Sequence, residues 1–234
     1  MDQIIRREWA LPIDVDMVLR GQGADPDNVR RRRPRLVEIA QRALNDGLKL
    51  IEPTAAYRLL PVSEVRHDRL VLADGALLRS TLLVEQLASA QQVVVIVCTI
   101  GPALEERVSS FRDRDPAYAL ALDGFGSMAV DALGAALCDQ LEMEAAREGR
   151  CTSMPLGPGM MGWPVEVGQP QIFSLLDTDA IGVTLQASAQ MLPRKSASMV
   201  VGVAARPFEA GRTCDFCALR DTCRYQDRTR LPAI

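Results

Sequence analysis

The stretch Gly157-Pro158-Gly159-Met160-Met161-Gly162-Trp163-Pro164 lies inside a Gly- and Pro-rich region, residues 152–170, that reads as one long loop. A loop of that length within a compact domain is usually functional. Glycines let backbone N–H groups approach a ligand closely, and Lys195, Ser196 and Ser198 supply further donors downstream. Gly157, Pro158, Gly159, Met160, Lys195, Ser196 and Ser198 are therefore the candidate cofactor-binding residues. Taken alone, the glycines are equally compatible with a structural turn, so the neighbouring segments decide the reading.

Upstream of the loop, Pro116 to Glu148 is alanine-rich and helical in pattern, with Gly149 just past its end. Val130, Leu133, Leu137 and Leu141 fall on one face, and Gly124 and Gly126 are expected to break the segment into a short and a longer helix. Val93 to Cys98 is a continuous run of mostly β-branched residues, expected as a buried strand. It turns at Thr99-Ile100-Gly101-Pro102 into a helix ending near Asp115-Pro116. Leu70-Val71-Leu72 and Ala76-Leu77-Leu78 flank Ala73-Asp74-Gly75, and Asp-Gly is a strong hairpin signal. Ser80 is placed to cap a short helix through Leu87. Ahead of these, Arg30 to Arg33 precede Pro34, and Leu36, Ile39, Ala40, Ala43 and Leu44 recur at helical spacing up to Gly47. That reading puts the arginines at a helix start, where positive charge opposes the macrodipole. Downstream, a short helix is expected from Gln171 to Leu176, an extended piece from Gly182 to Leu185 and a strand from Ser198 to Ala204.

The chain has 234 residues, enough to bury a sizeable core, and 48% hydrophobic with 24% charged residues excludes a disordered or low-complexity class. A net charge of −3 leaves no electrostatic footprint for nucleic acid, and 4% aromatic residues argues against a base-stacking surface. The N-terminus is charged from Asp2 and has no apolar signal region. The most apolar runs, Val93 to Cys98 and Met199 to Ala205, fall far short of a membrane span. The expectation is a cytoplasmic protein with no membrane partner. With a single histidine, His67, far from the loop, no Ser-His-Asp or Cys-His arrangement can be built. There is also no P-loop and no Gly-x-Gly-x-x-Gly after a strand.

Six cysteines occur, Cys98, Cys138, Cys151, Cys214, Cys217 and Cys223, and in a reducing compartment they are ligands or buried apolar residues rather than disulfide partners. Cys214-Asp215-Phe216-Cys217 and Cys223 form a Cys-x2-Cys-x5-Cys pattern. The two-residue gap turns both thiolates toward one metal, as in zinc and iron–sulfur sites. Arg212, Arg220 and Arg224 would offset the negative charge of the thiolates. Three unrelated tail cysteines are the bland alternative, a structural zinc the second, and an iron–sulfur cluster, of the 4Fe–4S type, the favoured one. A closed site needs a fourth ligand, for which Cys151 is the candidate; Cys98 and Cys138 read as core residues and His67 as a surface residue. No linker divides the chain, so the expectation is one domain over residues 1–205 followed by a cysteine-rich tail over 206–234.

Read as an ordered series, the loop and its neighbours are distinctive. After it come Gln171-Ile172-Phe173-Ser174-Leu175-Leu176-Asp177, then Ile181-Gly182-Val183-Thr184-Leu185, then Met191-Leu192-Pro193-Arg194-Lys195-Ser196-Ala197-Ser198. This series resembles the activation (reactivation) domain of vitamin B12-dependent methionine synthase, and more closely the small stand-alone relatives of that domain. The family pattern runs Pro-Gly-Tyr, a spaced Trp-Pro or Pro, Ile-Phe/Trp-x-Leu-Leu, Ile/Thr-Gly-x-x-Leu and Met-x-Pro-x-x-Ser-x-Ser. Thr99-Ile100-Gly101 and Asp123 to Ser127 also look like the stand-alone branch. The resemblance covers about residues 90 to 205, and the N-terminal third loosely.

The resemblance implies an α+β fold, a twisted antiparallel sheet flanked by helices, here with the cysteine-rich C-terminal tail added. It implies S-adenosylmethionine along the Pro158-Gly159 loop, and docking on a cobalamin-carrying (corrinoid) protein or methyltransferase whose cob(II)alamin is reductively reactivated. In two places the sequence departs from the pattern. Pro155 stands where the family has Arg, which removes a clamp for a carboxylate, and Met160 stands where it has Tyr, which removes an aromatic face and a hydroxyl. The leading reading joins the features: an accessory protein for reductive activation of a cobalamin-dependent methyltransferase, binding S-adenosylmethionine or delivering electrons through the cluster. The alternative is a non-catalytic, zinc-stabilised module that docks on a corrinoid protein. A methyltransferase acting on something else is a third reading, for which no acceptor-activating base is evident.

Overall fold

Val93 to Val97 are fully buried because their strand lies at the centre of a sheet covered on both faces. A computed structural model describes residues 2–209 and 211–217. Its elements, in chain order, are β1 (Ile4–Arg6), α1 (Val15–Gly21), α2 (Pro26–Arg32), α3 (Pro34–Leu50), β2 (Thr54–Arg66), β3 (Arg69–Leu72), β4 (Leu77–Arg79) and α4 (Thr81–Gln86). There follow β5 (Gln92–Thr99), α5 (Ala103–Phe111), α6 (Pro116–Arg147), β6 (Cys151–Thr152), α7 (Val165–Phe173), β7 (Thr184–Leu185), β8 (Met191–Leu192) and β9 (Ser196–Ala204). Short 3₁₀ turns occupy Asp179–Ile181 and Thr213–Phe216.

The main sheet is antiparallel in the order β4-β3-β2-β5-β9-β6, with β1 also paired to β2. β2 pairs with β5 from Thr54↔Thr99 to Pro61↔Gln92, and a register shift between Val62 and Glu64 carries its second half away to pair with β3. Bulges of this kind bend a strand and curl the sheet. Alternation along β5 then feeds two cores. Val94, Ile96 and Cys98 meet α1, α3 and α6, while Val93, Val95 and Val97 meet α4, α7 and the 153–164 loop. Each such fully buried valine contributes about 1.5 kcal/mol or more of transfer free energy. The result is the α+β architecture expected, a curled antiparallel sheet flanked by helices.

The hairpin forms where Asp74-Gly75 placed it, with Gly75 at φ +85°. Ser80 caps α4 by accepting from the Leu83 N–H at 3.1 Å. Two readings are corrected. First, α6 runs unbroken for 32 residues through Gly124 and Gly126. Those glycines accommodate neighbours: a Cβ on Gly124 would lie 2.9 Å from the Gly21 carbonyl carbon, and one on Gly126 2.5 Å from Leu104 Cδ2. Second, the arginine run is shared by two helices, for although α3 starts at Pro34 as read, with Arg33 as its N-cap, the other three arginines belong to the helix before it. Arg30, Arg31 and Arg32 form the last turn of α2, where cations complement the macrodipole, and Arg30 pairs with Asp16. The electrostatic cost inferred from the sequence is therefore avoided for Arg30, Arg31 and Arg32 and falls on Arg33 at the N-cap of α3. Helix α6 is also long and apolar enough to cross a membrane by length and composition. In its most apolar window 67% of the residues are buried inside the protein, so packing on β5 and β9 accounts for its character.

Candidate functional site

The expected 152–170 loop is shorter than read, because Val165–Phe173 forms α7. Leu156 fastens the loop to β9 through paired backbone hydrogen bonds with Val200, 2.9 and 2.8 Å. Beyond it the chain folds on itself. The Gly159 N–H donates to the Trp163 carbonyl at 2.7 Å, the Met160 N–H to the Gly157 carbonyl at 3.2 Å, and the Trp163 N–H to the Met160 carbonyl at 3.0 Å. The Gly157 N–H points at the Met160 thioether, 3.3 Å from Sδ. Gly159 and Gly162 take φ of +99° and +88°, which a side chain would resist. The Gly162 carbonyl accepts from Ser80 Oγ at 3.0 Å, tying the loop to α4.

The N–H groups of Gly157 and Gly159, expected to be free for a ligand, are thus used within the loop. Its centre is Trp163, fully buried against Gly168 of α7. Trp163 Nε1 is the buried side-chain polar atom without a hydrogen-bond partner among the described residues. Trp163 is consequently a packing residue rather than a stacking platform.

Residues 212–217 lie against this loop. The Arg212 N–H donates to Asp215 Oδ2 at 2.9 Å, starting the 3₁₀ turn that carries Cys214, and the Cys217 N–H reaches the Cys214 carbonyl at 3.3 Å. Cys217 then forms an antiparallel bridge with Met160, and the Met161 N–H donates to the Phe216 carbonyl at 2.9 Å. Phe208, Phe216, Met154 and Met160 each pack against the second core. Cys214 and Cys217 therefore lie beside the glycine loop, a juxtaposition no sequence spacing announces. Cys223, with Arg220 and Arg224, falls outside the described residues.

The remaining candidates are divided by the pleat of β9. Ser198 faces α7, where its hydroxyl donates to Oε1 of buried Gln169 at 3.0 Å, and its carbonyl lies 3.2 Å from where a Gly157 Cβ would be. Ser196 Oγ donates to the Pro193 carbonyl at 2.7 Å and lies 2.9 Å from Thr99 Oγ1. Lys195 points to the opposite face, its Nζ 2.9 Å from both Ser127 Oγ and Asp123 Oδ1 on α6. Lys195 and the loop are thus on different sides of the sheet, and Asp123 is a partner of Lys195. Gln169 was missed because its stretch reads as irregular.

Cys151 pairs with Ala204, four residues along β9 from the Leu156–Val200 bridge, or ~13 Å at strand spacing. Among the described residues no group of three or more His, Cys, Asp and Glu side chains is placed to hold a metal. Cys98 and Cys138 belong to the first core as read, and burial pushes both thiols up to about 12. His67 is 91% exposed, the surface residue expected.

No protein-family model and no curated protein matches the sequence. Among solved structures, the crystal structure of the MetH reactivation domain bound to AdoHcy is similar over 92% of this chain and 83% of that one, with a TM-score of 0.64 at 13% identity. At that identity the likeness is one of fold, and the chain is a structural relative of the MetH reactivation domain.

Proposed function

We propose that this chain is an accessory protein for the reductive activation of a cobalamin-dependent methyltransferase, with an iron–sulfur group held by Cys214, Cys217 and Cys223 against the Gly157–Met160 loop. The observation that carries the reading is the Met160–Cys217 bridge, which joins the two distinctive features of the sequence at one surface. The donor chemistry fits such a group, since Cys214 and Cys217 are partly exposed thiols three residues apart across a 3₁₀ turn, with soft sulfur ligands. When bound, an iron–sulfur group supplies one-electron transfer at potentials as low as about −700 mV, the range that cob(II)alamin reduction demands. The protein's own contribution is to fix the cysteine turn on the loop, where Phe216, next to Cys217, packs on the second core. Its partner in this reading is a cobalamin-carrying protein.

S-adenosylmethionine fits the loop less well. Gly157, Gly159, Met160 and Met161 have their N–H groups engaged, Pro155 and Met160 replace the clamp residues of the family, and Lys195 faces away. No step is therefore routed through it. The specific support for its binding is the AdoHcy in the solved relative. Calorimetric titration with S-adenosylhomocysteine decides that point, since saturable binding supports it and a flat titration removes it.

Anaerobic purification with iron, sulfide and zinc analysis, beside a Cys217→Ser variant, tests the main reading. A coloured protein with stoichiometric iron and sulfide, bleached in the variant, supports electron delivery. A colourless protein with one zinc per chain replaces it with the docking module, and a metal-free protein removes the metal altogether.

A further inference from the structure

We infer that the Met160 thioether is a donor of the cysteine site, completing with Cys214 and Cys217 a sulfur-only pocket for a soft, thiophilic metal. The inference rests on the reading that the tail cysteines bind metal, and it assigns the remaining position to a residue of the loop. Three observations converge on it. Cys214 and Cys217 are three residues apart around a 3₁₀ turn, a spacing at which side chains eclipse and so share one side. Cys217 and Met160 are directly opposed in an antiparallel bridge, where paired Cβ atoms lie about 4.5–5.5 Å apart on the same face. The Met160 sulfur is also held in place, 3.3 Å from the Gly157 N–H, while Met161 next to it is half exposed and turned outward.

The bridge thus places Met160 directly opposite Cys217, while Met161 is half exposed. The register instead sets Cys151 opposite Ala204, away from this turn. Binding is a plain exchange: each cysteine thiol that ligates gives up its proton to solvent, and the thioether ligates without a proton change. Thiolates with a thioether favour cuprous ion over harder cations, and this makes cuprous ion the natural probe.

The test is the affinity of the metal-free full chain for cuprous ion, measured anaerobically by competition with a coloured chelator. Leu at 160 preserves volume, so Met160→Leu is expected to fold and to bind about tenfold more weakly, whereas Met160→Cys, which restores a sulfur donor, retains the affinity. Cys151→Ser is expected to bind like the wild type. Met160→Leu affinity within about twofold of wild type, with Cys214→Ser and Cys217→Ser clearly weakened, overturns the role of Met160 and leaves the cysteine site standing. Wild-type affinity in Cys214→Ser and Cys217→Ser as well overturns both. A thermal melt of each variant, with a wild-type-like transition, separates lost ligation from lost folding.

Discussion

Gly21 of α1 and Gly124 of α6 meet backbone to backbone, and a Cβ on Gly21 would stand 2.2 Å from the Gly124 carbonyl oxygen. Helix α1 can lie this close only because neither residue has a side chain, which explains why a residue that usually weakens a helix sits in the middle of the longest one. Gly124→Ala would gain about 1 kcal/mol of helix propensity. The collision with Gly21 and Gln22 outweighs that gain. A net loss of about 2 kcal/mol is expected, read as a melting temperature lower by roughly 4–8 °C. An unchanged or higher melting temperature would show that the two helices are not in this contact.

Gly168 performs the same service for Trp163. A Cβ there would lie 2.6 Å from Trp163 Nε1 and 2.8 Å from Pro158 Cγ. Gly168→Ala is expected to cost about 1–3 kcal/mol and to shift tryptophan emission to the red as the indole is pushed toward water. Trp163→Phe in the same background should abolish that shift, leaving Trp9 as the sole emitter.

Thiol reactivity should divide the cysteines. With Cys98 and Cys138 pushed up to about 12, roughly one thiol in ten thousand is ionised at pH 8, and the thiolate is the reactive form. Iodoacetamide on metal-free native protein is expected to label Cys214 and Cys217 and to spare Cys98 and Cys138 until denaturant is added. Mass spectrometry after digestion provides the readout, and early labelling of Cys98 would contradict the core assignment.

Alkaline stability carries a defined sign at Tyr118. Burial first, and then its hydrogen bond to Asp46, hold the phenol up at about 12. A raised phenol keeps its proton in the folded state after the unfolded chain has lost it. The stabilisation is therefore present below about pH 10 and is lost as pH rises to about 12. The denaturant midpoint of the wild type should fall across that window more steeply than that of Tyr118→Phe. Parallel slopes would contradict the assignment.

Much of the fold was legible because its signals are local. The β-branched run of β5, the Asp74-Gly75 turn and the Ser80 cap each act within a few residues, and each appears where its chemistry places it. The N-terminal helices carry such signals too, since Asp14 and Asp25 cap α1 and α2 and Pro26 follows at the first position of α2. Glycine was legible only as flexibility, and its use in α6 as a landing surface depends on which helix crosses it. Least visible was the site itself. Nothing in Gly157 to Met160 or in the Cys-x2-Cys spacing says that a backbone bridge joins them, and although alternation alone separates Lys195 from Ser196 and Ser198, which side meets α6 and which meets α7 follows only from the packing of the sheet.

The most direct test of the account is electron transfer. The protein, reduced anaerobically and freed of reductant, is mixed with cob(II)alamin, and the cobalt paramagnetic resonance signal is followed beside the Cys217→Ser variant. The account expects the signal to decay as the protein is reoxidised and to persist with the variant. A signal unchanged by iron-loaded, fully reduced wild-type protein would contradict it.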